Sequence, residues 1–165
     1  MKLWTESTPY KKWKQDLKIY RGKTKKNRSP DNMCRKKSFC EGSKDIPRRL
    51  MPQIYNPKRF SKKIHNKFKV QSKTMKMPTK ILKPSQNEIN GRIVEKVVKS
   101  MKKNPKKQHN PIVVSKDGYV VDGHHRWAAQ KVMNPHKKIK VLKMNAPIND
   151  ALGIAIATET KRDSF

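Results

Sequence analysis

Two short β-branched runs, PIVV at 111–114 and YVV at 119–121, stand on either side of Ser115-Lys116-Asp117-Gly118. Asp-Gly readily supplies the positive φ of a tight turn, so the stretch predicts a hairpin. The second run leads without a spacer into DGHHRWAA at 122–129, and a helix is expected over about 124–133, halted by Asn134-Pro135. A chain that ends a strand and starts a helix at one point must pack that helix on the sheet it has just left. The flanking sequence agrees. Residues 70–77 predict a strand and 78–84 a loop around Ile81 and Leu82. Asn90 is placed to cap a helix whose Ile93, Val94, Val97, Val98 and Met101 form one apolar stripe ending before Asn104-Pro105. KIKVLKM at 138–144 alternates like a strand with one wet face, and 149–160 closes as an Ala/Ile-rich helix. The order strand, helix, hairpin, helix, strand, helix predicts a compact α/β or α+β domain over residues 71–165.

Charge decides what the rest can do. Only 33% of the residues are hydrophobic, and 42 Lys and Arg against 12 Asp and Glu give a formal net charge of +30. Residues 1–76 hold 24 basic and 5 acidic residues, and residues 77–165 hold 18 and 7. Residues 1–70 are therefore expected to be a basic, partly disordered extension to the domain. Such an excess repels itself unless it meets a polyanion, so nucleic acid, DNA first, is the expected partner, with acidic lipid behind it. No stretch approaches the roughly 18 apolar residues of a spanning helix, and Met1-Lys2-Leu3-Trp4 leads into polar sequence. A cytoplasmic or nucleic-acid-associated location without membrane insertion is the expectation.

Within the basic half, Thr8-Pro9 opens a short helix over about 9–20 in which Tyr10, Trp13, Leu17 and Tyr20 line one face and lysines the other. That stripe is expected to pack on its own protein, the alternative being a surface kept for another chain. Residues 21–49 show no period and are read as a flexible arm. Cys34 and Cys40, spaced C-x5-C with no second pair or nearby His, are expected as reduced, unliganded thiols. In 51–68, Tyr55, Phe60 and Phe68 interleave with cations, which suits either base stacking or a solvated face anchored by its aromatics. Candidate nucleic-acid contacts are Lys11, Lys12, Lys25, Lys26, Arg35, Lys36, Lys37, Arg48, Arg49, Lys58, Arg59, Lys62 and Lys63.

The 122–126 turn carries the sharpest chemistry. Free amide groups at the start of the helix and its positive dipole end favour an anion, and Gly123 lets a ligand approach the backbone. His124 and His125 could donate ring N–H bonds to phosphate oxygens, and Arg126 could grip two at once. Alternatively Asp122 caps the helix and pairs with Arg126 while the histidines pack or face solvent. Adjacent histidines on a helix point about 100° apart and make a poor metal pair. Trp127 is expected to seat the helix on the sheet, with base stacking as the other option.

NPIVVSKDGYVVDGHHRWAAQ resembles the central motif of the ParB/sulfiredoxin superfamily, and LKPSQNEINGRIVEKVVKSM resembles the loop and helix before it. The resemblance covers about 73–160 and implies a turn, Gly123 to Arg126, that holds nucleotide phosphates. Sulfiredoxins carry a reactive Cys where His124 stands, so their reaction is excluded. Free-serine kinases of the superfamily use a similar DGHHR turn, which implies Asp122 as base or magnesium-linked carboxylate, His124, His125 and Arg126 on phosphate, and a loop carboxylate for which Glu88 is the candidate. The family implies Mg²⁺ and one of ATP, ADP or CTP as cofactors. Short phage proteins resembling this domain are often described as ParB-like nucleases. The leading expectation is thus a DNA-associated, phosphate-binding protein with metal-dependent nuclease chemistry at Asp122, His124, His125 and Glu88. A small-molecule kinase and a non-enzymatic packing or virion-associated protein are the alternatives.

Overall fold

The computed structural model describes residues 3–21, 30–36, 38–107 and 109–158. Among these residues five α-helices and five strands follow in the order α1 (Thr8–Arg21), α2 (Pro57–Phe68), β1 (Ser72–Pro78), β2 (Lys83–Pro84), α3 (Gly91–Lys103), β3 (Ile112–Val114), β4 (Tyr119–Asp122), α4 (His124–Met133), β5 (Lys138–Met144) and α5 (Ile148–Thr158). The strands form one mixed sheet in the order β1-β5-β3-β4-β2, in which β1 runs antiparallel to β5, β5 parallel to β3, β3 antiparallel to β4, and β4 parallel to β2. The α/β class expected from the sequence is the class observed.

Side chains alternate across a strand, and that alternation builds two cores. Ile112, Val114, Val120 and Val141 face Val94, Trp127, Ala128 and Ala129 of α3 and α4. Val113, Val121, Leu142 and Met144 face the other way, onto Trp13, Leu17, Phe60, Ile64 and the α5 residues Leu152, Ile154, Ala155 and Ile156. A sheet covered on both faces needs apolar residues at both parities, which explains the unbroken IVV and VV runs. The aromatic stripe of α1 therefore packs on its own protein. Trp13 is buried and its indole Nε1 donates to the Leu50 carbonyl at 2.7 Å. The N-terminal segment packs tightly on Gly153 of α5: a Cβ there would lie 2.4 Å from the Trp4 ring and 2.8 Å from that of Tyr10.

Local signals set the helix ends. Asn56 caps α2, its side chain accepting from Arg59 N, with Pro57 opening the helix, and Asn90 caps α3 by accepting from Arg92 N. Phe60 and Ile64 turn inward, so the aromatics of this segment anchor a wet basic face, and Tyr55 alone among Tyr55, Phe60 and Phe68 is exposed.

Two expectations are corrected. The described part of 21–49 is not a free arm. Asn32 bridges Asn90 and Ile46 bridges Gln86, with Met33 N donating to Ile89 O at 2.9 Å and Asn87 N to Ile46 O at 3.0 Å. Ile46, Cys34 and Leu50 are buried, so this segment is strapped across the 85–91 loop; the rest of the expected arm, at 22–29 and 37, lies outside the described residues. Cys34 and Cys40 are joined in a disulfide rather than reduced. The short 3-10 turn Met33–Arg35 and the turn that follows bring the two residues to a Cα separation of 5.1 Å, within bonding range. The last expected residues of α5, 159 and 160, also lie outside the described residues. Among the described residues, no helix is long and apolar enough to cross a membrane.

Candidate phosphate-binding site

β4 ends at Asp122 and α4 begins at His124, leaving Gly123 as the cap residue with φ 100° and ψ 27°. Only glycine takes this conformation without strain. The space is closed as well, since a Cβ would sit 2.6 Å from Cγ2 of buried Ile112. Gly123, not Asp122, occupies the capping position. One Asp122 oxygen, Oδ2, accepts from Ile54 N at 3.2 Å and so ties β4 to the segment entering α2.

The histidines act differently from the expectation. His124 is buried, and its Nε2 lies 3.1 Å from Ser85 N and 3.3 Å from Gln86 N. A ring nitrogen that accepts from amides carries no proton, so the tautomer assigned by these bonds has its hydrogen on Nδ1. Burial, then the neighbouring His125, lowers the His124 pKa to about 3. His125 uses the same atom in the same way, with Nε2 accepting from Asn90 N at 3.2 Å. The pair thus pins the 85–90 loop to the first turn of α4, and neither Nε2 is available to donate to a phosphate or to act as a base. The ring N–H bonds expected from His124 and His125 to phosphate would therefore have to come from Nδ1.

What remains around the turn is a cleft of about 150 Å³ whose lining includes Arg48, Gln53, Gln86, Asp122, Gly123 and Arg126. This is below the roughly 300 Å³ at which pockets begin to enclose drug-sized ligands. Its volume encloses a phosphoryl group, and anything larger would extend out of its open side. The guanidinium of Arg126 donates from Nη1 to the Asn110 carbonyl. Burial pushes its pKa down while Asp122 pushes it up, so the carboxylate helps keep the cation in the cleft wall. Gln53 and the cleft position of Arg48 were not foreseen, because both arrive on the 48–53 segment, far from the turn in sequence. Glu88 is not among the lining residues, and among the described residues no three His, Cys, Asp or Glu converge as a metal site.

The expected cationic surface is dispersed. Lys11 and Lys12 are exposed on α1, Lys58, Arg59 and Lys62 on α2, and Arg35 and Lys36 on the strapped segment, while Lys63 is half-buried. Arg49 stacks over Tyr20, its Cζ 3.7 Å from the ring centroid, and so serves to dock α1. Lys25, Lys26 and Lys37 lie outside the described residues. Trp127 is fully buried beneath Phe39 and Lys131, which leaves no face for a base. No protein-family model, curated protein or solved structure gives a significant match to the chain.

Proposed function

We propose that the protein binds DNA and seats a backbone phosphate in the cleft between Arg48, Gly123 and Arg126. The observation that carries this reading is the convergence of two arginines, from segments remote in sequence, on a phosphoryl-sized cleft at the amide end of a helix. Guanidinium groups are suited to gripping phosphate oxygens in pairs, and the +30 charge supplies attraction without sequence preference. The resemblance of the DGHHR turn to the ParB/sulfiredoxin superfamily supports phosphate as the ligand. Binding is favoured over the nuclease and kinase alternatives because both His Nε2 atoms are committed to the loop.

Fluorescence anisotropy with the full chain and labelled duplex tests this. Arg48→Gln and Arg126→Gln should each weaken binding about tenfold and lower the slope of log K against log salt by about one, as loss of one phosphate contact does. Unchanged affinity in both variants would overturn the reading. Asp122 lines the same cleft, so plasmid cleavage in magnesium that is lost in Asp122→Asn would replace binding by hydrolysis as the function.

A further inference from the structure

Arg126 also lines a second, larger hollow of about 420 Å³, bordered by the end of α3, by Pro105, Lys107, His109 and Asn110, and by the β1–β5 ladder. Among the described residues its cations are Lys76, Lys107, Arg126, Lys137, Lys138 and Lys140, and no carboxylate lines it. Its apolar floor includes Met101, Ile112 and Ile139.

The ladder itself is built against electrostatic preference. Lys76 stands directly opposite Lys140 in the antiparallel register of β1 and β5, and both line the hollow, whereas the Lys73–Lys143 pair lies on the other face of the sheet and does not. Like charges placed directly across an antiparallel pair destabilise it, and an acidic residue at either position of a pair would have removed the conflict. Burial first, then Arg126 and Lys107, pushes the pKa of His109 down, which disfavours a further positive charge there. A cationic wall of this kind is relieved by a polyanion.

Resting on the reading of the cleft as a phosphate site, we propose that this groove receives a single, unpaired strand of nucleic acid that continues from the phosphate held at Arg48 and Arg126. Arg126 lines both hollows and bonds the Asn110 carbonyl, so it forms the wall they share. A strand that leaves the small cleft passes Arg126 and meets a cationic rim for its phosphates and an apolar floor for a sugar edge or base face. A duplex, with its bases stacked inward, offers that floor nothing. Charged grooves that track the backbone while apolar contacts accept any base are the usual means of binding single strands.

The test compares a labelled oligonucleotide of about 15 residues, single-stranded and as a duplex. Lys76, Lys138 and Lys140 are all exposed, so the triple variant Lys76→Gln/Lys138→Gln/Lys140→Gln can be checked for folding by circular dichroism and then titrated. Single-strand affinity should fall at least about tenfold, with the salt slope reduced by about two, the value for three contacts to single strands. Duplex affinity should change less than about threefold. A control removing three exposed lysines elsewhere, Lys67→Gln/Lys69→Gln/Lys116→Gln, should leave single-strand binding within the same limit. Equal losses for both nucleic acids, equal losses in both triple variants, or no loss at all would each overturn the groove. If the groove variant binds like wild type while Arg48→Gln and Arg126→Gln still weaken binding, the groove alone fails. If wild type binds neither nucleic acid, the cleft reading fails with it.

Discussion

In the unfolded chain the His124 imidazole takes up a proton below its ordinary value of 6.5, whereas in the fold it does so only near 3. The unfolded state therefore binds more protons between those values, and stability falls as pH is lowered through 6.5 and levels off below about 3. Linkage puts the loss between about pH 7 and pH 5 at about 2 kcal/mol from this one group. Urea denaturation at a series of pH values should show that decline in wild type and a shallower one in His124→Leu. The variant should also lose about 3 kcal/mol at neutral pH, because the Ser85 and Gln86 amides are left without their acceptor. A second residue-scale prediction concerns Gly123→Ala. With φ at 100° and Ile112 in the path of the new methyl group, thermal denaturation should show a loss of about 2 kcal/mol or more.

At the scale of elements, the parts legible in the sequence were those with their own local cause. The Asp-Gly turn between β3 and β4, the Asn90 cap of α3, the Asn134-Pro135 stop after α4 and the alternation of β5 all lie within a few residues of what they determine. The strap, residues 30–36 and 38–50, has no such signature. Its bridges, Asn32 to Asn90 and Ile46 to Gln86, are isolated contacts with a distant loop, and the Cys34–Cys40 bond follows from the turn that brings the two together. The candidate site divides in the same way. Gly123 and Arg126 were visible as a motif, but which atoms of His124 and His125 are already taken depends on the 85–90 loop, and Arg48 enters only through the strap. For α1, aromatic periodicity identified the buried face but not what it covers. Trp13→Ala removes a buried ring and the bond to Leu50 O. It should cost about 3 to 5 kcal/mol, measured as a shift of the urea midpoint. A loss under about 1 kcal/mol would mean that α1 is dispensable to the core.

For the molecule as a whole, +30 on 165 residues sets fold against charge, since self-repulsion destabilises the compact state. Raising sodium chloride from about 0.05 to 0.3 M shortens the screening length and should raise the melting temperature. The same change should weaken nucleic-acid binding. A scan by differential fluorimetry that showed the melting temperature falling with salt would contradict the first half of this pair.

Gly153, against which Trp4 and Tyr10 close, has a consequence for synthesis. The stripe of α1 has nearby partners in Leu50 and Arg49, but it gains its α5 surface only once residues 148–158 have been made, so part of it stays uncovered until then. Docking of α1 on α5 is therefore a late step of folding, because it joins segments far apart in sequence.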